Sequence, residues 1–167
     1  GLIVGSRDAI AKIKKHPLKR AMRCSKITLA ALESTLRIYD SEHQLAERLP
    51  VLALLMRPQG DIEAACQRVL PTLTRFVGNA FRTRIEPCAS QIGSGSLPVE
   101  RLASAAIVVE SMATKGAGRA LQSLATRLRE LPTPVLGRIS QNALWLDLRC
   151  LRRDDENVLV AELEAAA

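Results

Sequence analysis

Aromatic side chains are almost missing from this sequence: one tryptophan, one tyrosine and two phenylalanines in 167 residues. Modules that read single-stranded RNA stack bases on aromatic rings, so the composition argues against a reader of that kind. The core has to come from Leu, Ile, Val and Ala, and a hydrophobic content of 47% is enough to build one. Cysteine and histidine are scarce too. Cys24, Cys66, Cys88 and Cys150 form no C-x-x-C pair, and His16 and His43 do not stand at ligand spacing from them. No metal site is expected. The thiols read as reduced core residues of a cytoplasmic protein. No apolar run reaches the roughly 20 residues that span a bilayer, and the chain does not open on a secretory leader. Neither an internal repeat nor a low-complexity tail is present.

What the sequence does have is positive charge. The formal net charge of +7 points to an anionic partner or to solvated basic helix faces. The length suits one domain, or two small ones. The opening "GLIVG" reads as an apolar strand. A buried strand needs neighbours on both sides, so a chain opening inside one reads as cut from something larger.

The pattern then turns helical. Ser6 caps a short helix bearing Ile10 and Ile13, and Pro17 ends it or starts the next. Ser25 precedes a helix with Leu29, Leu32, Leu36 and Tyr39 at helical spacing. Another turn, 44–49, ends at Pro50. After Gly60-Asp61, a stripe of Ile62, Ala65, Cys66, Val69, Leu73, Phe76 and Val77 marks the clearest helix, which Pro71 should bend and Gly78 should stop. From Phe81 the period is two: Phe81, Thr83 and Ile85 alternate with Arg82, Arg84 and Glu86. "AAIVVE" reads as a second strand. Leu121, Leu124, Leu128 and Leu131 mark a helix. "PVLGRI" and "ALWLDLR" read as a hairpin around 140–142, and Asp154-Asp155 open a last helix. The expected class is α+β: a small, mostly antiparallel sheet with helices on one face, preceded by a helical linker.

Two short stretches bear on chemistry. "SQIGSGSLP" lacks the G-K-[ST] ending of a nucleotide-binding loop, which leaves a structural turn or a backbone anion nest. In "HPLKRAMR", Arg20 and Arg23 are three apart and would share a helical face. Two guanidinium forks side by side grip a tetrahedral oxyanion; the alternative is a solvated basic face among Lys14, Lys15, Lys19 and Lys26. "LDLR" puts Asp147 and Arg149 on one face of a strand, as a structural pair. No nucleophile–base–acid set is visible.

Taken together, "GLIVG", "IKKHPLKRAMRCSKITLAALESTLRIY", "EPCASQIGSGSLP" and "LPTPVLGRISQNALWLDLRCL" are similar, in order and spacing, to the C-terminal part of the bacterial selenocysteine synthase family, the L-seryl-tRNA(Sec) selenium transferases. The resemblance implies a fold-type I pyridoxal-phosphate enzyme forming homo-oligomers, with its Schiff-base lysine upstream of these residues. Residues 1–58 would be the end of the large cofactor domain and linking helices, and 59–167 the small domain. The implied chemistry is β-replacement on seryl-tRNA(Sec). Pyridoxal 5'-phosphate acts as electron sink, the β-hydroxyl is lost, and selenium from selenophosphate takes its place. Without the lysine, this stretch alone would be inactive. The resemblance assigns Arg20 and Arg23 to selenophosphate or phosphate. It makes Ser90, Gln91 and Ser94 a candidate active-site loop, and Arg138 and Arg149 candidate substrate arginines. Two alternatives stand beside it. One is a related pyridoxal-phosphate lyase or dehydratase; the other is a free-standing basic binding module without catalysis.

Overall fold

The structure, a computed structural model, describes residues 3–40, 45–91 and 101–167. The chain divides into two compact units, Gly1–Arg48 and Leu49–Ala167.

The first unit is helical. Ser6 accepts a hydrogen bond from the Ala9 N–H at 3.3 Å and so caps α1 (Arg7–Lys15). Pro17, with φ fixed near the helical value, starts the short α2 (Leu18–Ala21). Ser25 takes the Thr28 N–H at 3.1 Å ahead of α3 (Lys26–Asp40), and α4 (Leu45–Arg48) follows. The leucine stripe of α3 forms as its spacing predicts, yet Leu29, Leu32, Leu36 and Tyr39 are all exposed. Among the described residues of "GLIVG", the expected strand is not found. Ile3, Val4 and Gly5 have no regular structure and are exposed, because no described strand lies beside them to take their hydrogen bonds.

The second unit carries the core. After α5 (Pro50–Leu55), α6 (Gln59–Val77) buries Ile62, Ala65, Cys66, Val69, Leu73, Phe76 and Val77. The helix runs through Pro71, which lies on its exposed side, where the carbonyl it leaves unbonded can reach water. Gly78 ends it at φ 75°, a left-handed angle that favours glycine. Four strands follow: β1 (Phe81–Gln91), β2 (Arg101–Ser111), β3 (Arg138–Ser140) and β4 (Ala143–Asp147). They pair in the order β1-β2-β4-β3, antiparallel throughout. Gln141 and Asn142 both have positive φ, which gives the β3–β4 hairpin the two-residue turn whose twist suits its strands.

Between β2 and β3 runs α7 (Ala117–Arg129), and α8 (Arg153–Ala165) closes the chain. One sheet face presents Ala105, Ile107, Val109, Leu144 and Leu146 to the leucines of α6, α7 and α8 in a single core. This is the α+β arrangement expected from the sequence. Gly137 enters β3 so close to β4 that an added Cβ would lie 2.9 Å from the Trp145 carbonyl oxygen. No described helix is long and apolar enough to cross a membrane.

Candidate functional site

Local capping decides where the first arginine pair stands. Ser25 must leave helical geometry to cap α3, so α2 stops at Ala21 and Met22 turns the chain. Arg20 therefore sits in the last turn of α2 and Arg23 lies two residues beyond it, not on one continuous helical face. Both side chains are exposed. Among the described residues, neither guanidinium meets an acid or a carbonyl. Two cationic forks without internal partners can bind a tetrahedral oxyanion through charge-assisted hydrogen bonds.

The second unit gathers two other residues picked from the sequence. Asp147 ends β4, and its carboxylate accepts from three donors. These are Ser90 Oγ at 2.5 Å, Ser104 Oγ at 2.6 Å and the Arg149 N–H at 3.0 Å. That last bond caps a 3-10 turn, Leu148–Cys150, so Arg149 has left the strand that was expected to hold it beside Asp147. Arg149 is buried and donates from Nε to Ser90 Oγ at 3.2 Å. Its Nη1 donates to the carbonyls of Leu54, Leu55 and Arg57 at 3.0, 3.1 and 3.2 Å, and its Nη2 to that of Ala103. Ser90 and Arg149 thus meet directly. Arg138 is elsewhere, exposed on β3 with its guanidinium 5.7 Å from the centre of the Trp145 ring. Gln91 is exposed at the end of β1, and Ser94 lies outside the described residues.

Sequence reasoning missed a charged cluster beneath α8. Glu156 is buried and takes two hydrogen bonds from Arg68, both 2.8 Å, and one from Arg153 at 3.2 Å; Arg57 stands 3.9 Å away. Arg57 also donates to the carbonyls of Leu148 and Leu151 at 3.0 and 2.6 Å. The partners stand far apart in the sequence, 88 positions for Arg68 and Glu156, and no local pattern announces such a pair. A cavity of about 380 Å³ opens here, lined by Arg57, Arg68, Arg152 and Arg153 with Asp61 and Glu156. Its cations are already engaged, which sets it apart from the unpartnered Arg20 and Arg23.

The hydrogen bonds from Arg68 hold the Glu156 carboxyl below the usual carboxylate range, against the opposing effect of burial. A lowered folded-state value means the cluster stabilises fully above the unfolded carboxyl's titration, roughly pH 4.3. That contribution fades as pH falls through the lowered folded value. Glu156→Gln should therefore cost roughly 2–3 kcal/mol at neutral pH, below a fully buried pair because Arg68 is 41% exposed. The gap between variant and wild type should close in acid. Thermal unfolding of both proteins between about pH 3 and pH 7 checks this, and a gap that stays constant would contradict it.

Other groups supply little chemistry. Burial pushes the Cys66 thiol up to about 12, and burial followed by the Asp147 charge raises that of Cys88. Neither is a ready thiolate. Of the four expected core cysteines only Cys66 is buried; Cys88 is half-buried, and Cys24, in the link before α3, and Cys150, in the turn after β4, are exposed. The described residues contain no group of three His, Cys, Asp or Glu able to hold a metal ion. A Schiff base to pyridoxal phosphate requires a lysine amine inside a pocket. Lys12, Lys14, Lys15, Lys19, Lys26 and Lys115 are the chain's lysines, and all are exposed. These residues do not by themselves form that cofactor's site.

Comparison with known proteins covers nearly all of the chain. The SelA family model, L-seryl-tRNA selenium transferase, matches residues 1–152. A curated relative from Serratia proteamaculans is 53% identical over 156 residues, which is 93% of this chain and 33% of the relative. One from Escherichia fergusonii is 53% identical over 151 residues, 90% of this chain and 32% of the relative. One from Edwardsiella ictaluri is 50% identical over 163 residues, 98% of this chain and 34% of the relative. All three carry the name L-seryl-tRNA(Sec) selenium transferase. The chain spans about a third of their length.

Proposed function

The chain belongs to the L-seryl-tRNA selenium transferase family, and from that premise we propose that it is the C-terminal third of such an enzyme. The complete enzyme converts seryl-tRNA(Sec) to selenocysteinyl-tRNA(Sec) in the cytoplasm, as a homo-oligomer, using selenophosphate and pyridoxal 5'-phosphate. The lysine that would hold the cofactor belongs to the upstream part of the polypeptide, so the present residues act by binding and positioning. Residues 1–58 close the large domain and link it onward, and 59–167 form the small domain. The last of the linking residues pack with the small domain, where Arg149 takes the carbonyls at the end of α5.

The observation that carries this reading is the contrast among the arginines. Arg57, Arg68, Arg84 and Arg149 direct their guanidinium groups to carboxylates or carbonyls of the fold. Arg20 and Arg23, three positions apart, direct theirs to none among the described residues; Arg7, Arg82 and Arg119 also lack such partners but stand singly. In the proposed enzyme they bind the phosphate oxygens of selenophosphate and offset its charge, leaving selenium free to reach the β-carbon of the seryl group. Neither residue needs to move a proton. Ser90 and Gln91 end β1 in the second unit, and we assign them, with Ser94, to an active-site segment of the complete enzyme. Arg138, exposed on β3, is the substrate arginine of choice for a ribose or phosphate of the tRNA, because Arg149 has spent its donors internally.

The complete transferase, given seryl-tRNA(Sec) and radiolabelled selenophosphate, should transfer the label to the tRNA-bound amino acid. Turnover of free serine with no label on tRNA would overturn the proposal.

A further inference from the structure

The charge of this molecule is concentrated in one place. Eight of its 24 cations and one of its 17 acids lie between Arg7 and Lys26, so those twenty residues hold +7 and the other 147 are neutral in sum. All eight cations (Arg7, Lys12, Lys14, Lys15, Lys19, Arg20, Arg23, Lys26) are exposed, and among the described residues none is ion-paired. In the second unit, by contrast, arginines meet Glu86, Glu110, Glu156 and Glu164.

Like charges this close repel one another, and the repulsion is relieved when a polyanion covers them. Lysines in the last turn of α1 do suit the negative end of that helix. That preference is small and would suit a single cation; it accounts neither for three lysines together at Lys12, Lys14 and Lys15, nor for the cations that continue past Pro17 to Lys26, nor for the lack of acids between them.

We infer that Arg7–Lys26 is a docking surface for the phosphate backbone of RNA, with Lys12, Lys14 and Lys15 as contacts separate from the Arg20–Arg23 anion site. This rests on the transferase reading, which supplies an RNA substrate. The stretch contains no aromatic residue, so it tracks phosphates and does not read bases. Helix α1 is about 13 Å long, enough to present cations to several phosphates. The same ribbon of charge runs into Arg20 and Arg23, so RNA lying along it is led toward the point where selenophosphate is held.

The test uses the complete transferase carrying Lys12→Gln, Lys14→Gln and Lys15→Gln together, with Arg20 and Arg23 intact. Its affinity for seryl-tRNA is measured from about 50 to 300 mM salt. The triple variant should bind about tenfold or more weakly near 100 mM salt, and the slope of log K against log salt should lose about 2–3. The corresponding Lys→Arg triple variant should keep both, and selenophosphate dependence at saturating tRNA should not change in either. Wild-type affinity and slope in the Gln variant would overturn the inference. So would equal loss in the Arg variant, which would mark a packing effect. Because Ile13, Leu18 and Met22 are exposed beside these cations, anionic phospholipid vesicles serve as a competitor. Vesicle binding that outcompetes tRNA and vanishes in the Gln variant would also overturn it. If the wild-type enzyme binds no tRNA even at low salt, the transferase reading itself fails, a result distinct from the others.

Discussion

Arg20→Ala with Arg23→Ala, in the complete transferase, should lower kcat/KM for selenophosphate by a hundredfold or more. Hydrogen bonds to a charged group contribute about 1.5–3 kcal/mol each, and two guanidinium forks hold a tetrahedral anion by several of them. The loss should fall on the selenophosphate dependence and leave seryl-tRNA binding within about threefold, since the lysines of α1 remain. Each single variant should show a smaller loss, and Arg→Lys should recover only part of it, because an ammonium is a point charge and cannot reproduce the planar fork. Steady-state kinetics with each substrate varied in turn would separate the two effects. Equal loss toward both substrates would indicate that these arginines serve the fold or the tRNA and not the small anion.

Arg149→Met should cost the second unit about 3–5 kcal/mol, a large part of the 5–15 kcal/mol that holds a typical domain together. The side chain is 5% exposed, and its donors satisfy carbonyls from three places: the end of α5, Arg57 and β2. Removing the fork strips those part-buried acceptors of their donor and takes from Ser90 the Nε donor that faces it. A unit of this size should lose roughly 10–20 °C in Tm. Arg149→Lys should be nearly as damaging, since one ammonium cannot serve acceptors on opposite sides of a planar group. Circular dichroism melting of the variants would decide. An unchanged Tm would mean that the carbonyls find other donors or water.

The strands show what the sequence could and could not announce. The alternation of Phe81, Thr83 and Ile85 with Arg82, Arg84 and Glu86 is visible in the letters, and β1 begins there. The alternation stops at Pro87, which has no N–H to give a ladder. Yet β1 runs on to Gln91 because it is the edge strand of the sheet, where a missing donor can face solvent at no cost to pairing. Its partner β2 begins at Arg101, four residues before the apolar run that marked it. The helices of the second unit were legible from their stripes, and those stripes are buried. The stripe of α3 was equally legible and is exposed, since spacing reveals an apolar face and not what covers it.

The site divides the same way. A local motif, "LKRAMR", pointed to Arg20 and Arg23, although the cap at Ser25 ends the helix that would have aligned them. The ties of Ser90 and Ser104 to Asp147 and Arg149 cross 43 to 59 positions, and the Arg68–Glu156 pair crosses 88. Contacts of that range arise from strand register and helix packing, and no short stretch encodes them.

The most direct measurement is a crystal structure of the complete transferase soaked with selenophosphate. The account predicts a tetrahedral anion with its oxygens about 2.7–2.9 Å from guanidinium nitrogens of both Arg20 and Arg23. An anion bound elsewhere, with both arginines left to solvent or paired to a carboxylate of the upstream domain, would contradict it.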